Sequence, residues 1–369
     1  MRVALVSHVY ANPANRAKLK ALAGLGVDLT AIVPETWQSP DGTIQNARSG
    51  NDNGVQIVTV PVRSYPARPS NLLWNPKELR RALADQKAEL VHIEEEIGSQ
   101  PAGIALRAAR RLGTPAVLMT SESLPPSDGL TARLRRDRNL RLAAGIVGTN
   151  SLAVKLATKR RPSLRHAVVP QLGITLPATR PSERRAELAI GFVGRLVPER
   201  GLDLLFRACV GLAGKWTLIV VGTGPSQEEL EELAQRLGIA ARISWLGALP
   251  RSAMDEVWTR LDCLVLPSRT TERWIMTEAR AAIHAMANGV AVVGSNSGAL
   301  PEIIGDAGRI VPEEDVASMT AALHELYADR SLCERLGSAG QRRVQDEFSE
   351  PAVALKLLTF WRTLTTANG

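Results

Sequence analysis

The chain has 369 residues, 45% of them hydrophobic and 22% charged, with a formal net charge of +8. That length exceeds one ordinary domain and predicts two, each with enough apolar residues for a full core. Aromatic residues, at 4%, are too sparse to interleave with the basic ones, which argues against a nucleic-acid surface, and no apolar run approaches a membrane span of about 20 residues.

The N-terminal stretch MRVALVSHVY turns polar too soon for a signal peptide and predicts a first strand at 2–7. Further apolar runs predict strands at 28–33, 55–60, 90–94, 116–120, 145–149 and 167–170. Helical patterns lie between them, at 15–23, 77–86 and 103–112. Residues 175–184 carry two prolines and no periodicity and read as a linker. The alternation then restarts. Strands are expected at 189–193, 216–221, 242–246, 263–267, 290–293 and 309–311, with a helix at 203–212, one capped by Ser226 and running to Leu237, and a last one at 351–361. Strand–helix alternation of this kind specifies α/β domains with doubly wound parallel sheets. The expected division is an N-terminal domain at 1–176, a second at 177–350, and a helix at 351–369 that crosses back to the first, with a cleft between two Rossmann-like halves. Cys209, Cys263 and Cys333 lack paired spacing and read as buried thiols of a cytoplasmic protein, with no structural metal.

Much of the positive charge lies between positions 133 and 165. Arg133, Arg135, Arg136, Arg138, Arg141, Lys155, Lys159, Arg160, Arg161 and Arg165 stand there against Asp137 alone. Such a run attracts an anionic substrate or holds the protein peripherally at an anionic inner-membrane surface. A solvated helix face is the plainer alternative.

Chemistry is expected at the carboxyl ends of the strands, where helix N–H groups face outward. After the first strand of the second half, Gly194 and Arg195 open a turn that reaches Arg200 and Asp203. Two guanidiniums and the turn amides form an anion site in physical terms, at about 1.5–3 kcal/mol per charge-assisted bond. Surface arginines on a βα loop are the alternative. His8 and His92, within or at the end of strands, read as core or hydrogen-bonded histidines.

The blocks GRLVPERGLDLLFRA, VVGTGP, ISWLGALP, CLVLPSR and AMANGVAVVGSNSGALPEIIGDAG occur in that order. Together they resemble the donor domain of family 4 of the retaining glycosyltransferases. SHVYANPANRAKLKALAGLGVDLTAIVP and VHIEEEIGSQPAG resemble a branch of the same family more loosely. The resemblance implies the two-domain GT-B fold and a nucleotide-sugar substrate, UDP- or GDP-linked. It also implies no metal or other cofactor, and a carbohydrate or lipid-linked acceptor. Arg195 and Arg200 would hold the donor diphosphate, while Gly194, Gly222, Gly224 and Leu246 would line the nucleotide. Thr277, Glu278, Ala279, Arg280 and His284 fall on the family's donor-contacting segment. Asn12, Asn15 and Arg16 stand where relatives carry a glycine-rich acceptor loop, and Glu95 and Glu96 would face the acceptor. Glu122 lies where many relatives have a catalytic histidine.

One departure matters. The family's two glutamates, eight positions apart on the helix before AMANG, correspond here to Met276 and His284. A thioether is a weak acceptor and a neutral imidazole offers one nitrogen. If Glu278 and Met276 were both helical, they would lie about 200° apart, so Glu278 could substitute only if position 276 preceded the helix. An active transferase, a silent nucleotide- or glycan-binding relative, and another GT-B activity such as a phosphorylase or epimerase remain the three outcomes.

Overall fold

Continuous apolar runs become parallel strands covered on both faces. The computed structural model describes residues 1–38, 43–63, 72–125, 129–177 and 187–365, so most of the expected linker lies outside the described residues. The chain divides into unit 1, Met1–Thr175 with Ser349–Gly369, and unit 2, Leu176–Phe348.

The strands of unit 1 are β1 (Arg2–Val6), β2 (Asp28–Pro34), β3 (Thr36–Gln38), β4 (Ile44–Asn46), β5 (Gly50–Asp52), β6 (Val55–Val60), β7 (Val62–Arg63), β8 (Leu73–Trp74), β9 (Leu90–Ile93), β10 (Ala116–Thr120), β11 (Gly145–Gly148) and β12 (Arg165–Val168). Eight of them form one sheet in the order β12-β11-β10-β9-β1-β2-β6-β5. All neighbours there are parallel except the edge pair β5–β6. The two remaining pairs, β3–β4 and β7–β8, are short and antiparallel. The register sets Val6 against Ile93, Ile93 against Leu118 and Thr120 against Gly148, so the residues that follow these strands share one edge.

The helices of unit 1 are α1 (Ala17–Gly24), α2 (Pro76–Asp85), α3 (Gln100–Arg111), α4 (Leu130–Leu142), α5 (Ser151–Thr158) and α13 (Glu350–Thr365). Three start at side-chain caps. Asn75 accepts from the amides of Lys77 and Glu78, Ser99 from Ala102 and Asn150 from Ala153. Helix α13 packs within unit 1 and buries Leu357 and Trp361 completely.

Unit 2 holds β13 (Leu188–Val193), β14 (Trp216–Val221), β15 (Ile243–Gly247), β16 (Cys263–Leu266), β17 (Ala291–Ser295) and β18 (Gly308–Val311), all parallel, in the order β15-β14-β13-β16-β17-β18. Its helices are α6 (Leu202–Val210), α7 (Gln227–Arg236), α8 (Arg251–Thr259), α9 (Arg280–Ala287), α10 (Leu300–Ile304), α11 (Val316–Ala328) and α12 (Arg330–Glu347). Ser226 occupies the N-cap position of α7, but its side chain accepts no capping bond, contrary to the expectation from sequence. Helix α9 begins only at Arg280.

Candidate functional site

In unit 1 the common sheet edge is laid on a buried ionic network. Lys18, on α1, and Glu94, just past β9, have no exposed side-chain surface and meet at 2.6 Å. Glu94 also accepts from the Tyr10 hydroxyl at 2.7 Å and from Gln171 at 3.3 Å. The Trp361 indole donates to Nδ1 of His92 at 3.3 Å, which leaves the other ring nitrogen to face Glu94 at 3.4 Å. Burial alone would raise the Glu94 carboxyl, yet Lys18 and His92 hold it at about 2. Burial and the adjacent Glu94 push the Tyr10 hydroxyl well up, so it stays a donor.

The next two carboxylates are also engaged. Glu95 accepts from the backbone N–H of His8 at 3.0 Å and from its Nδ1 at 2.9 Å. Burial would depress the His8 imidazole, but the Glu95 charge outweighs it and raises the value. A carboxylate on Nδ1 fixes the tautomer and leaves Nε2 for a ligand. Glu96 accepts from the hydroxyls of Thr120 and Ser121 at 2.7 and 2.6 Å, and burial followed by repulsion from Glu122 raises its carboxyl. His8, Glu95, Glu96, Ser121, Thr149 and Gln171 help to line a cavity of about 240 Å³. Glu95 and Glu96 are therefore organised acids at a cavity wall, and His8, read from the sequence as a core or hydrogen-bonded histidine, joins them as a hydrogen-bonded one.

Three expected acceptor residues turn to their own chain. Asn12 accepts from the amide of Ala14, and Asn15 donates to the Val9 carbonyl at 3.0 Å. Arg16 is buried, and its guanidinium reaches the Tyr10 and Ala11 carbonyls and Asp52. It braces the loop instead of opening toward a ligand. Glu122 is paired with Arg136 of α4.

In unit 2 the edge is shaped by close backbone approach. The amide of Gly194 donates to Val221 and that of Leu196 to Thr223, both at 3.0 Å, and Gly222 donates to Gly247 at 2.8 Å, beside Leu246 in β15. Gly222 has φ +132°, and a Cβ there would lie 1.9 Å from the Gly194 carbonyl oxygen; one on Gly224 would lie 2.3 Å from that of Leu196. Both glycines thus let two loops pack. Gly222→Ala should destabilise by about 1–3 kcal/mol from backbone strain alone, and urea unfolding would measure it. An unchanged midpoint and slope would contradict this packing.

Arg195 is exposed and Arg200 half-buried. Burial, then the Arg195 charge, depresses the Arg200 guanidinium. Among the described residues, Arg200 donates to the Met276 thioether at 3.4 Å and lies over the Trp274 ring at 5.2 Å. No ion pair with a carboxylate forms at either arginine among the described residues. Two neighbouring cations with only soft partners form a receptive anion site.

Met276, Thr277, Glu278 and Ala279 precede α9, so of the two placements open for Met276 from the sequence the structure has the one before the helix. The Met276 carbonyl accepts from Ala299 at 2.7 Å, and a Cβ on Gly298 would lie 2.1 Å from that oxygen. This tertiary bond holds the segment out of the helix. Met276 is buried; burial lowers the Arg280 guanidinium, the neighbouring Glu278 charge opposing that effect and Arg251 adding to it. His284 is held at about 4 by burial, then by Arg280 and Arg251, and is neutral near pH 7.

The three cysteines are buried, and burial pushes Cys209 up to about 12. No group of three metal-ligating side chains occurs among the described residues, and no helix among them is long and apolar enough to cross a membrane.

Residues 180–343 match the model described as "Glycosyl transferases group 1" and residues 11–171 the "Glycosyl transferase 4-like domain". A GDP-mannose-dependent alpha-(1-6)-phosphatidylinositol monomannoside mannosyltransferase of Mycolicibacterium smegmatis is 31% identical over 42% of this chain and 43% of its own length. A 2-deoxystreptamine N-acetyl-D-glucosaminyltransferase of Streptomyces fradiae is 33% identical over 44% of this chain and 37% of its own. The chain thus spans less than half the length of these curated relatives. Among solved structures, a sucrose-phosphate synthase from Thermosynechococcus elongatus superposes with a TM-score of 0.73 at 18% identity over 100% of both chains. Anabaena Alr3699/HepE in complex with UDP gives 0.70 at 14% identity, over 98% of this chain and 100% of that one.

Proposed function

The chain belongs to the group 1 glycosyl transferases in its second half and to the glycosyl transferase 4-like domains in its first, and on that premise we propose that it moves a sugar, with retention, from a nucleotide-sugar donor to a hydroxyl acceptor. The observation that carries this reading is the Arg195–Arg200 pair, two mutually repelling guanidiniums with no ion-paired carboxylate among the described residues, at the carboxyl edge of a parallel sheet. A diphosphate relieves that repulsion on binding. As the sugar–phosphate bond breaks, negative charge grows on the leaving diphosphate, and the same two cations stabilise it. The acceptor oxygen bonds to the anomeric carbon, and its proton leaves with the diphosphate.

Because Met276 precedes α9, Glu278 is free of the geometric objection that helical placement would raise. We assign it the sugar-facing carboxylate role, with Thr277, Ala279 and Arg280 as its backbone and charge support. Neutral His284 takes the ribose side with one acceptor nitrogen. Gly194, Gly222, Gly224 and Leu246 shape the nucleotide wall. In unit 1, the cavity beside His8, Glu95 and Glu96 suits a hydroxyl-rich acceptor, carbohydrate or lipid-linked. The mycobacterial-type mannosyltransferase relative is named for a phosphatidylinositol-borne acceptor.

The test is release of free nucleoside diphosphate from UDP- and GDP-sugars in the presence of a lipid extract and simple polyols. The account predicts release with one base and its loss in Arg200→Ala. Saturable binding without release under any condition would mean a binding protein.

A further inference from the structure

Helix α4 turns the leucines of its first turns, Leu130 and Leu134, outward. Only its C-terminal end, at Leu140 and Leu142, reaches the apolar core; the rest of its inward contacts are polar: Arg135 donates to the Gly98 carbonyl, Arg136 pairs with Glu122, and Asn139 donates to Ile97 at 2.8 Å and to Ser99 at 3.3 Å. Leu130 and Leu134 are instead 71% and 58% exposed. At 100° per residue, positions 130, 134, 138 and 141 fall within an arc of about 80°. Two leucines and two exposed arginines, Arg138 and Arg141, therefore share one outer face, with exposed Arg133 beside it. The only acid on the helix, Asp137, is neutralised by Arg160 at 2.7 Å.

The positive surface continues onto α3. Burial, then the charges of Arg138 and Arg111, depress the Arg107 guanidinium, so these three cations crowd one another. Arg107, Arg135 and Arg138 line a groove of about 260 Å³ between the helices. A helix of a globular protein normally turns its leucines to the core. Exposed leucines set among arginines that pair with no carboxylate among the described residues match the interface of a bilayer, where apolar side chains enter the headgroup boundary and guanidiniums meet lipid phosphates.

We propose that the α3–α4 face of unit 1 docks on an anionic lipid bilayer through Leu130 and Leu134, with Arg133, Arg138 and Arg141 contacting its phosphates. Charge complementarity selects an anionic surface, and the leucines select a membrane over a nucleic acid, whose backbone offers them nothing. The face belongs to unit 1 and the proposed donor-binding residues to unit 2, and the inference does not depend on the proposed transfer reaction.

The experiment is co-sedimentation of the full chain with vesicles rich in phosphatidylglycerol or of phosphatidylcholine alone. Wild-type protein should bind only the former. One variant, Leu130→Ser with Leu134→Ser, should lose about tenfold or more in affinity. A second, Arg133→Glu with Arg138→Glu and Arg141→Glu, should lose about a hundredfold or more, from about fivefold per arginine. All five side chains are exposed, so thermal unfolding should not move. No binding by wild type, or equal binding to both vesicles, would overturn the proposal. Full binding by the serine variant would also overturn it, by showing only diffuse adsorption. Tight binding to a duplex oligonucleotide that the serine variant keeps and the glutamate variant loses would reassign the face to nucleic acid.

Discussion

Replacing Lys18 with alanine should lower the stability of unit 1 by about 3–5 kcal/mol, the cost of leaving a buried charge without its partner. The ammonium lies 2.6 Å from Glu94 with neither side chain exposed, and it also sits 5.4 Å from the Tyr10 ring centroid. Without Lys18, Glu94 keeps the Tyr10 and Gln171 hydrogen bonds but loses its largest favourable charge. The carboxyl should then take up a proton near neutral pH. The pH dependence follows in sign. A carboxyl held at about 2 in the fold, below its ordinary 4.5, adds stability that is complete above the ordinary value and lost as pH falls toward 2. Lys18→Ala should abolish that part of the acid-unfolding profile. Urea unfolding monitored through this network, at neutral and acid pH, measures both effects, and a loss below about 1 kcal/mol would contradict the buried pair.

The second large effect concerns binding instead of folding. Arg195→Ala with Arg200→Ala should weaken nucleoside-diphosphate binding at least about a hundredfold, at about 1.5–3 kcal/mol for each charge-assisted contact removed. The melting temperature should hardly move. Among the described residues the Arg200 side chain makes a contact with the Met276 thioether and one with the Trp274 ring, and removing Arg195 relieves its repulsion of Arg200. A stability loss matching the affinity loss would mean that these side chains hold the fold.

Much of this architecture was legible because it is written locally. Runs such as Ala291-Val292-Val293 and Leu118-Met119-Thr120 lie fully within parallel strands, and such strands need only apolar continuity to be recognised. The closeness of Arg195 to Arg200 was legible for a similar reason, since both arginines belong to one βα loop. What failed depended on partners distant in sequence. Whether the helix before AMANG reached back to Met276 was open from sequence; the Met276 carbonyl accepts from Ala299, and the helix begins only at Arg280. Arg16 looked available until Asp52 and the turn carbonyls claimed its guanidinium. His8 looked like an ordinary strand-end histidine, because the Glu95 that orients it comes 87 residues later. No local signal marks such pairs.

The most direct measurement of the central claim is calorimetric titration of the unmodified protein with UDP, GDP, ADP, dTDP and CDP. At about a hundred times its dissociation constant a bound nucleotide should also add about 2.7 kcal/mol of stability, a second readout on the same samples. The account predicts saturable binding of one diphosphate, selective for its base, and its loss in the Arg195→Ala, Arg200→Ala variant. Absence of binding by every nucleotide, or affinity that survives removal of both arginines, would contradict it.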